Sequence, residues 1–343
     1  MDLGLIIGYW PPTGPPPEAA QQIATAERLG WRSIWCSEAY GSDSFTPLAW
    51  WGAATERVQL GTAITQISAR TPAATAMTAI TMDHLSGGRF ILGLGVSGPQ
   101  VVEGWYSQPY AKPLARTREY IDIVRAIVAR EEPVEYVGEH YQMPLVGGTG
   151  LGKPLKSIVR PLRTDIPIYL GAEGPKNVAL AAEIADGWLP MFFSPKADGF
   201  YREALAEGFA RPGARRSAED FEVACVVPIV VADDIEACAD LLRPNLALYV
   251  GGMGAKDRNF HKDVFTRLGY GAECEKIQEA YLAGRKAEAA SHVPTAMVED
   301  VYLVGPKEKI RDDLEAWRES CVTTMLVSGP PSMLEEIDEL VRG

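Results

Sequence analysis

The sequence predicts an α/β protein built as a (β/α)8 barrel. Short apolar runs alternate with segments of helical period along most of the chain. The connections between them are short and rich in Gly and Pro. One stretch, Pro167–Pro190 (PIYLGAEGPKNVALAAEIADGWLP), contains a complete strand–turn–helix–strand unit. Such alternation implies a parallel sheet with its helices outside. Its 343 residues lie within what one α/β barrel uses, so a single domain over 1–343 is expected.

In order, strands are expected at 3–8, 33–36, 58–65 and 89–95, and helices at 17–30, 45–55 and 72–87. Ile23 and Ala26 mark the inner face of the first helix, which Gly30 closes. Met77, Ile80 and His84 share a stripe on the third, with Gly87-Gly88 after it. A long helix over 113–130 precedes a hairpin at 134–142. Strands five and six fall within 166–190, strand seven at 221–231 and strand eight at 322–327, before a last helix at 331–341. The helical tract 233–290 exceeds one barrel helix and implies an insertion. A barrel of this kind works at the loops that follow its strands. These loops carry Tyr9-Trp10, Glu38–Tyr40, Gln66, Ser97–Trp105, Gly171–Lys176, Met191–Phe193 and Ser328-Gly329. They are aromatic and glycine-rich, as a covering over a flat ligand would be.

Within the unit at 167–190, Gly171-Ala172-Glu173-Gly174 turns into a helix that Pro175 begins. Proline suits a first helical position because that amide has no partner inside the helix. Unpaired amides, the helix dipole and the Lys176 charge together make an anion-binding corner of Gly171–Asn177. The net charge of -12 speaks against nucleic acid or anionic membranes as partners. Neither a membrane span nor a leader is expected, since no apolar run reaches about 18 residues. Five cysteines without a CxxC pair read as reduced thiols of a cytoplasmic protein.

Other chemistries find little support. Gly147–Lys153 fits the start of a nucleotide-hydrolase phosphate loop, but Pro154 stands where Ser or Thr must hold magnesium. The four histidines, 84, 140, 261 and 292, are scattered, with no metal-binding spacing. There is no GxSxG elbow for a serine hydrolase. Glu38 and Glu173 both follow strands and could pair as in a glycosidase, which would bind no chromophore.

The chain resembles the luciferase-like monooxygenase superfamily, in its branch of coenzyme F420-dependent oxidoreductases. The resemblance rests on Ala26–Trp31 leading to Trp35–Glu38, and on Leu60–Ile64 leading to Ala69–Pro72. It continues through Asp83–Phe90, Leu92–Gly95, Arg116–Tyr120, Gly174–Asn177 and Ala185–Gly187. It implies a deazaflavin across the carboxyl end of the barrel, its phosphate on Gly171–Asn177, with Glu38, Ser97 and Gln100 also at the cofactor. It implies a cis peptide at Ala63-Ile64 buttressing the ring, and homo-oligomers paired through barrel helices. Two departures bear on mechanism. Alcohol-oxidising relatives carry Asp-His where this chain has Glu38-Ala39, and a proton-donating glutamate of some relatives is replaced by Gly98. The resemblance therefore points to reduction of an activated C=C, C=N or carbonyl bond in a small organic substrate. Glu38 is the first candidate acid, with Tyr40 and Tyr106 as alternatives, and Trp10, Trp105 and Phe193 are expected substrate walls. FMN-dependent monooxygenation and a non-catalytic flavin-binding barrel stay open beside this reading.

Overall fold

The computed structural model describes residues 1–254, 256 and 259–343. Eight parallel strands close on themselves: β1 (Asp2–Ile7), β2 (Ser33–Cys36), β3 (Gln59–Thr62, resumed at Thr65–Gln66), β4 (Phe90–Gly95), β5 (Ile168–Gly171), β6 (Gly187–Leu189), β7 (Glu222–Val226) and β8 (Thr324–Val327). Around the barrel the order is β3-β2-β1-β8-β7-β6-β5-β4, and β4 pairs back onto both parts of β3. Strands covered on both faces need apolar residues at nearly every position, and β2, β4 and β8 are buried throughout. Inside the barrel Ile6, Trp35, Ile91, Tyr169, Leu189, Ala224 and Leu326 form a plug. Below it the buried Glu222 carboxylate accepts hydrogen bonds from Arg32, Tyr169 (2.8 Å) and Thr324 (2.8 Å). A buried carboxylate is tolerated here because its oxygens are paired.

The helix Pro72–Ser86 corrects one expectation. It turns Thr75, Ala76, Ala79, Ile80 and Asp83 inward, whereas Met77 is 62% exposed. His84 is also outside, its Nε2 2.8 Å from the Arg160 carbonyl. Small side chains let this helix lie close to the strands, so the largest apolar residue does not mark the inner face. The expected strand seven is likewise two strands. β7 ends at Val226, and Ile229–Val231 leaves the barrel to pair with Leu303–Gly305. Pro228 between them has no amide to continue a ladder.

That strand pair is the stem of the insertion. Its helices Ile235–Gly251, Phe260–Arg267, Gly271–Leu282, Lys286–Ser291 and Thr295–Glu299 share a core of Leu246, Phe265, Ile277 and Met297. Phe192, from the loop after β6, is buried in the same core. The insertion is thereby packed against the carboxyl end of the barrel, over the loops that the sequence marks for function.

Candidate active site

The floor of the site is made where strand backbones crowd together. β3 breaks between its two parts at Ala63-Ile64, and this peptide is cis. Thr62 Oγ1 bridges to β4, donating to the Gly93 carbonyl (2.7 Å) and accepting from its amide (2.9 Å). A Cβ on Gly93 would stand 1.7 Å from the Thr62 carbonyl oxygen, and one on Gly95 would stand 2.7 Å from Ile64. Only glycine permits this approach. A cavity of about 930 Å³ opens above, large for a small-molecule site. Its base is apolar and low: Ala63, Ile64, Gly95, Leu189, Ala224 and Leu326.

At one edge β5 ends and Gly171–Asn177 lines the cavity as the turn and helix start that the sequence predicts. Gly174 is the residue before the helix Pro175–Ile184. The Asn177 amide is taken by the Gly174 carbonyl (2.9 Å), while the amides of Glu173 and Gly174 donate to no group among the described residues. Added to Lys176 and the dipole of the helix, these two N–H groups leave the corner equipped to hold an anion.

Across the floor stands Glu38, after β2 and 7% exposed. One carboxylate oxygen accepts from the Gln66 amide (3.1 Å) and the other from the Ser44 amide (3.3 Å) and hydroxyl (3.4 Å). Burial pushes this carboxyl above its usual range, and the Gln66 and Ser44 amides pull it back only in part. Glu38 thus ties the loop after β2 to the end of β3 while facing the cavity.

The structure brings Glu38, Tyr40, Ala63, Ile64, Ser97, Gln100 and the whole of Gly171–Asn177 to one cavity. Tyr106 does not line it; burial and the Glu38 charge push its hydroxyl upward. Two expected walls are elsewhere because stronger packing claims them. Phe193 is fully buried against Trp188, Tyr201 and Trp317, and Trp10 leans on Trp51. Trp105 stands 65% exposed beside Tyr40 at the rim, outside the cavity lining. Tyr9 lines the cavity with Lys112, Tyr249, Met253 and His261, and the sequence reading missed all of these but Tyr9. Tyr9 lies on a loop already marked, but Tyr249, Met253 and His261 come from the insertion, whose placement no local pattern reveals.

A closed parallel barrel whose carboxyl mouth opens on an apolar floor and an amide-lined corner is the framework of this chain. The chain belongs to the luciferase-like monooxygenase family, whose profile matches residues 7–324. It is 56% identical, over 99% of both chains, to a Mycobacterium tuberculosis protein called "Putative coenzyme F420-dependent oxidoreductase". It is 27% identical to the 5,10-methylenetetrahydromethanopterin reductase of Archaeoglobus fulgidus, over 91% of this chain and 90% of that one. The solved coenzyme F420-dependent tetrahydromethanopterin reductase of Methanopyrus kandleri superposes with a TM-score of 0.80 at 25% identity, over 99% of this chain and 98% of the other.

Proposed function

We propose that this protein is a coenzyme F420-dependent oxidoreductase. Its reaction moves a hydride between the cofactor and an activated C=C, C=N or carbonyl bond of a small, largely apolar substrate. One observation supports this most: the low floor at Ala63-Ile64 and the amide-lined corner at Glu173-Gly174 face a single cavity. A flat ring with a phosphorylated tail needs both at once. Gly95 and Gly171 keep that floor clear, since a Cβ on either would press on Ile64 at 2.7 and 3.1 Å.

The bound deazaflavin would supply the hydride chemistry at its C5. The protein's part would be to hold and orient it: the Glu173 and Gly174 amides with Lys176 would hold the anionic tail, and Ala63, Ile64, Ser97 and Gln100 would contact the rest of the cofactor. Glu38 keeps the loop after β2 in register with the end of β3. The largely apolar lining removes water from the substrate, which strengthens the remaining polar contacts.

The purified protein, offered F420, reduced F420 and FMN separately, is expected to bind the deazaflavins more tightly than FMN. Preference for FMN, with oxygen consumed on turnover, would replace this reading by monooxygenation. We place the enzyme in the cytoplasm on its reduced-thiol composition; no helix among the described residues is long and apolar enough to cross a membrane. A homo-oligomer is proposed from the exposed run Leu145, Val146, Leu151, Leu155 and Ile158 beside the barrel, and light scattering measures it directly.

A further inference from the structure

The insertion contributes an ionisable group to the cavity. His261 is the second residue of the helix Phe260–Arg267, and its backbone is fixed from below. Asn259 Oδ1 accepts from the His261 and Lys262 amides at 3.0 and 3.1 Å, while its Nδ2 donates to the Tyr249 and Val250 carbonyls, both at 2.9 Å. The imidazole is held edge-on by Tyr249 and Phe192, with ring centroids at 4.8 and 5.7 Å. Nδ1 lies 2.9 and 2.8 Å from the two carboxylate oxygens of Glu173. Arg267, on the same helix, reaches the Glu173 carbonyl at 3.4 Å, so this loop and this helix are joined twice.

An ionised carboxylate only accepts hydrogen bonds, so the proton of that contact sits on Nδ1. The remaining nitrogen, Nε2, makes no hydrogen bond among the described residues, and the side chain lines the cavity. Glu38 differs in this respect, because both of its oxygens are engaged by backbone amides.

We propose that His261 is the proton-carrying catalytic residue of this cavity and that Glu173 is its positioning residue. The inference rests on the oxidoreductase reading above. In the reducing direction a bound reduced deazaflavin would supply the hydride, and a protonated His261 would supply the proton that the same bond requires. The Nε2–H bond breaks as the new bond to hydrogen forms, the nitrogen keeps the electron pair, and neutral imidazole remains with its other proton toward Glu173. Solvent then restores the Nε2 proton.

The test compares wild type, His261→Asn and Glu173→Gln in the full chain. Asparagine places an N–H near the position of Nδ1 and can keep the bond to Glu173, but it offers nothing in place of Nε2. Two readouts are taken with all three proteins: F420 binding by fluorescence, and oxidation of reduced F420 with cyclohex-2-en-1-one, a cyclic imine or a ketone. Binding is expected to persist in His261→Asn while turnover of the accepted probe falls roughly 10²–10⁴-fold, the usual share of acid–base catalysis. Glu173→Gln should lose turnover to a smaller extent than His261→Asn, compared at saturating F420 so that any change in affinity at the anion corner is separated from the loss. A second measurement needs no substrate: diethyl pyrocarbonate should label His261 in the free protein, and F420 should protect it. If His261→Asn turns over like wild type, or His261 resists labelling, the pair is a structural latch and the inference falls while the oxidoreductase reading stands. If F420 is not bound by wild type, that reading fails and takes this one with it.

Discussion

Replacing Gly174 with leucine separates cofactor binding from folding. A Cβ at this position would meet no atom within 4 Å, and the backbone is extended at φ -79°, ψ 147°. Any L residue adopts that conformation, and the following Pro175 favours it. The folded state should therefore change by about 0.5 kcal/mol or less, as for other substitutions that touch nothing. The added side chain projects beside the free amides of Glu173 and Gly174. A hydrogen bond to a charged group contributes about 1.5–3 kcal/mol. Displacing an anion from both amides, with some relaxation, should cost roughly 3 kcal/mol, which is about a 10²-fold loss of affinity. Fluorescence titration of F420, with a thermal melt of the same sample, measures both quantities. Unchanged affinity in a normally melting variant would refute the anion corner. Gly93→Ala is the contrast, because its Cβ would stand 1.7 Å from a backbone oxygen, and it should fail to fold.

Glu38→Gln leaves one acceptor where a carboxylate held two backbone amides, so it should lower stability by about 1–2 kcal/mol in denaturant melts. The bracing role predicts that turnover survives once the variant is folded; loss of turnover at full stability would make Glu38 the acid instead. Asp186 gives the pH dependence. Burial pushes its carboxyl up, but Arg125, the Ile168 amide and Arg215 outweigh burial and hold it below the ordinary 3.8. The folded state thus binds fewer protons there than the unfolded chain. Its contribution is whole above the ordinary value and is lost as pH falls through the lower folded one. Asp186→Asn should cost roughly 2–3 kcal/mol near neutrality, discounted because its arginines are partly solvated. It should also flatten the fall of stability between about pH 5 and pH 3. An unchanged acid slope would contradict this.

The barrel was legible because each strand and each connection announces itself locally. Gly30 closes the first helix with φ 67°, and Thr71 caps the helix Pro72–Ser86 by accepting the Ala74 amide at 3.2 Å. The turn at Gly171–Gly174 and the helix start at Pro175 were legible for the same reason, since a glycine turn before a proline is a pattern of adjacent residues. What could not be read depends on distant pairing. Leu303–Gly305 is too short to stand out, and only its ladder with Ile229–Val231 makes it a strand. Phe193 is chemically as good a substrate wall as any aromatic, yet the fold buries it against Trp188, Tyr201 and Trp317. His261 lies 88 residues from Glu173, and nothing in either neighbourhood names the other.

The motifs that made the chain recognisable divide between the two ends of the barrel, and they do different work there. Glu27 accepts from the amides of Glu56, Arg57 and Val58; Asp83 pairs with Arg163; Arg89 donates to the Val58 carbonyl; and Asp186 gathers Arg125, Arg215 and Arg216. These contacts fasten connections that lead into strands, the end of a barrel where side chains serve stability. They carry no information about substrate. Thr62, Gly93 and Gly95 shape the opposite floor, and Glu173 and Gly174 line one corner of the cavity; on the proposed reading these hold the cofactor. Tyr249, Met253 and His261 come from the insertion and complete the remaining wall. On the proposed reading the barrel holds the cofactor and the insertion closes the wall beside it, so substrate choice is to be sought in the insertion.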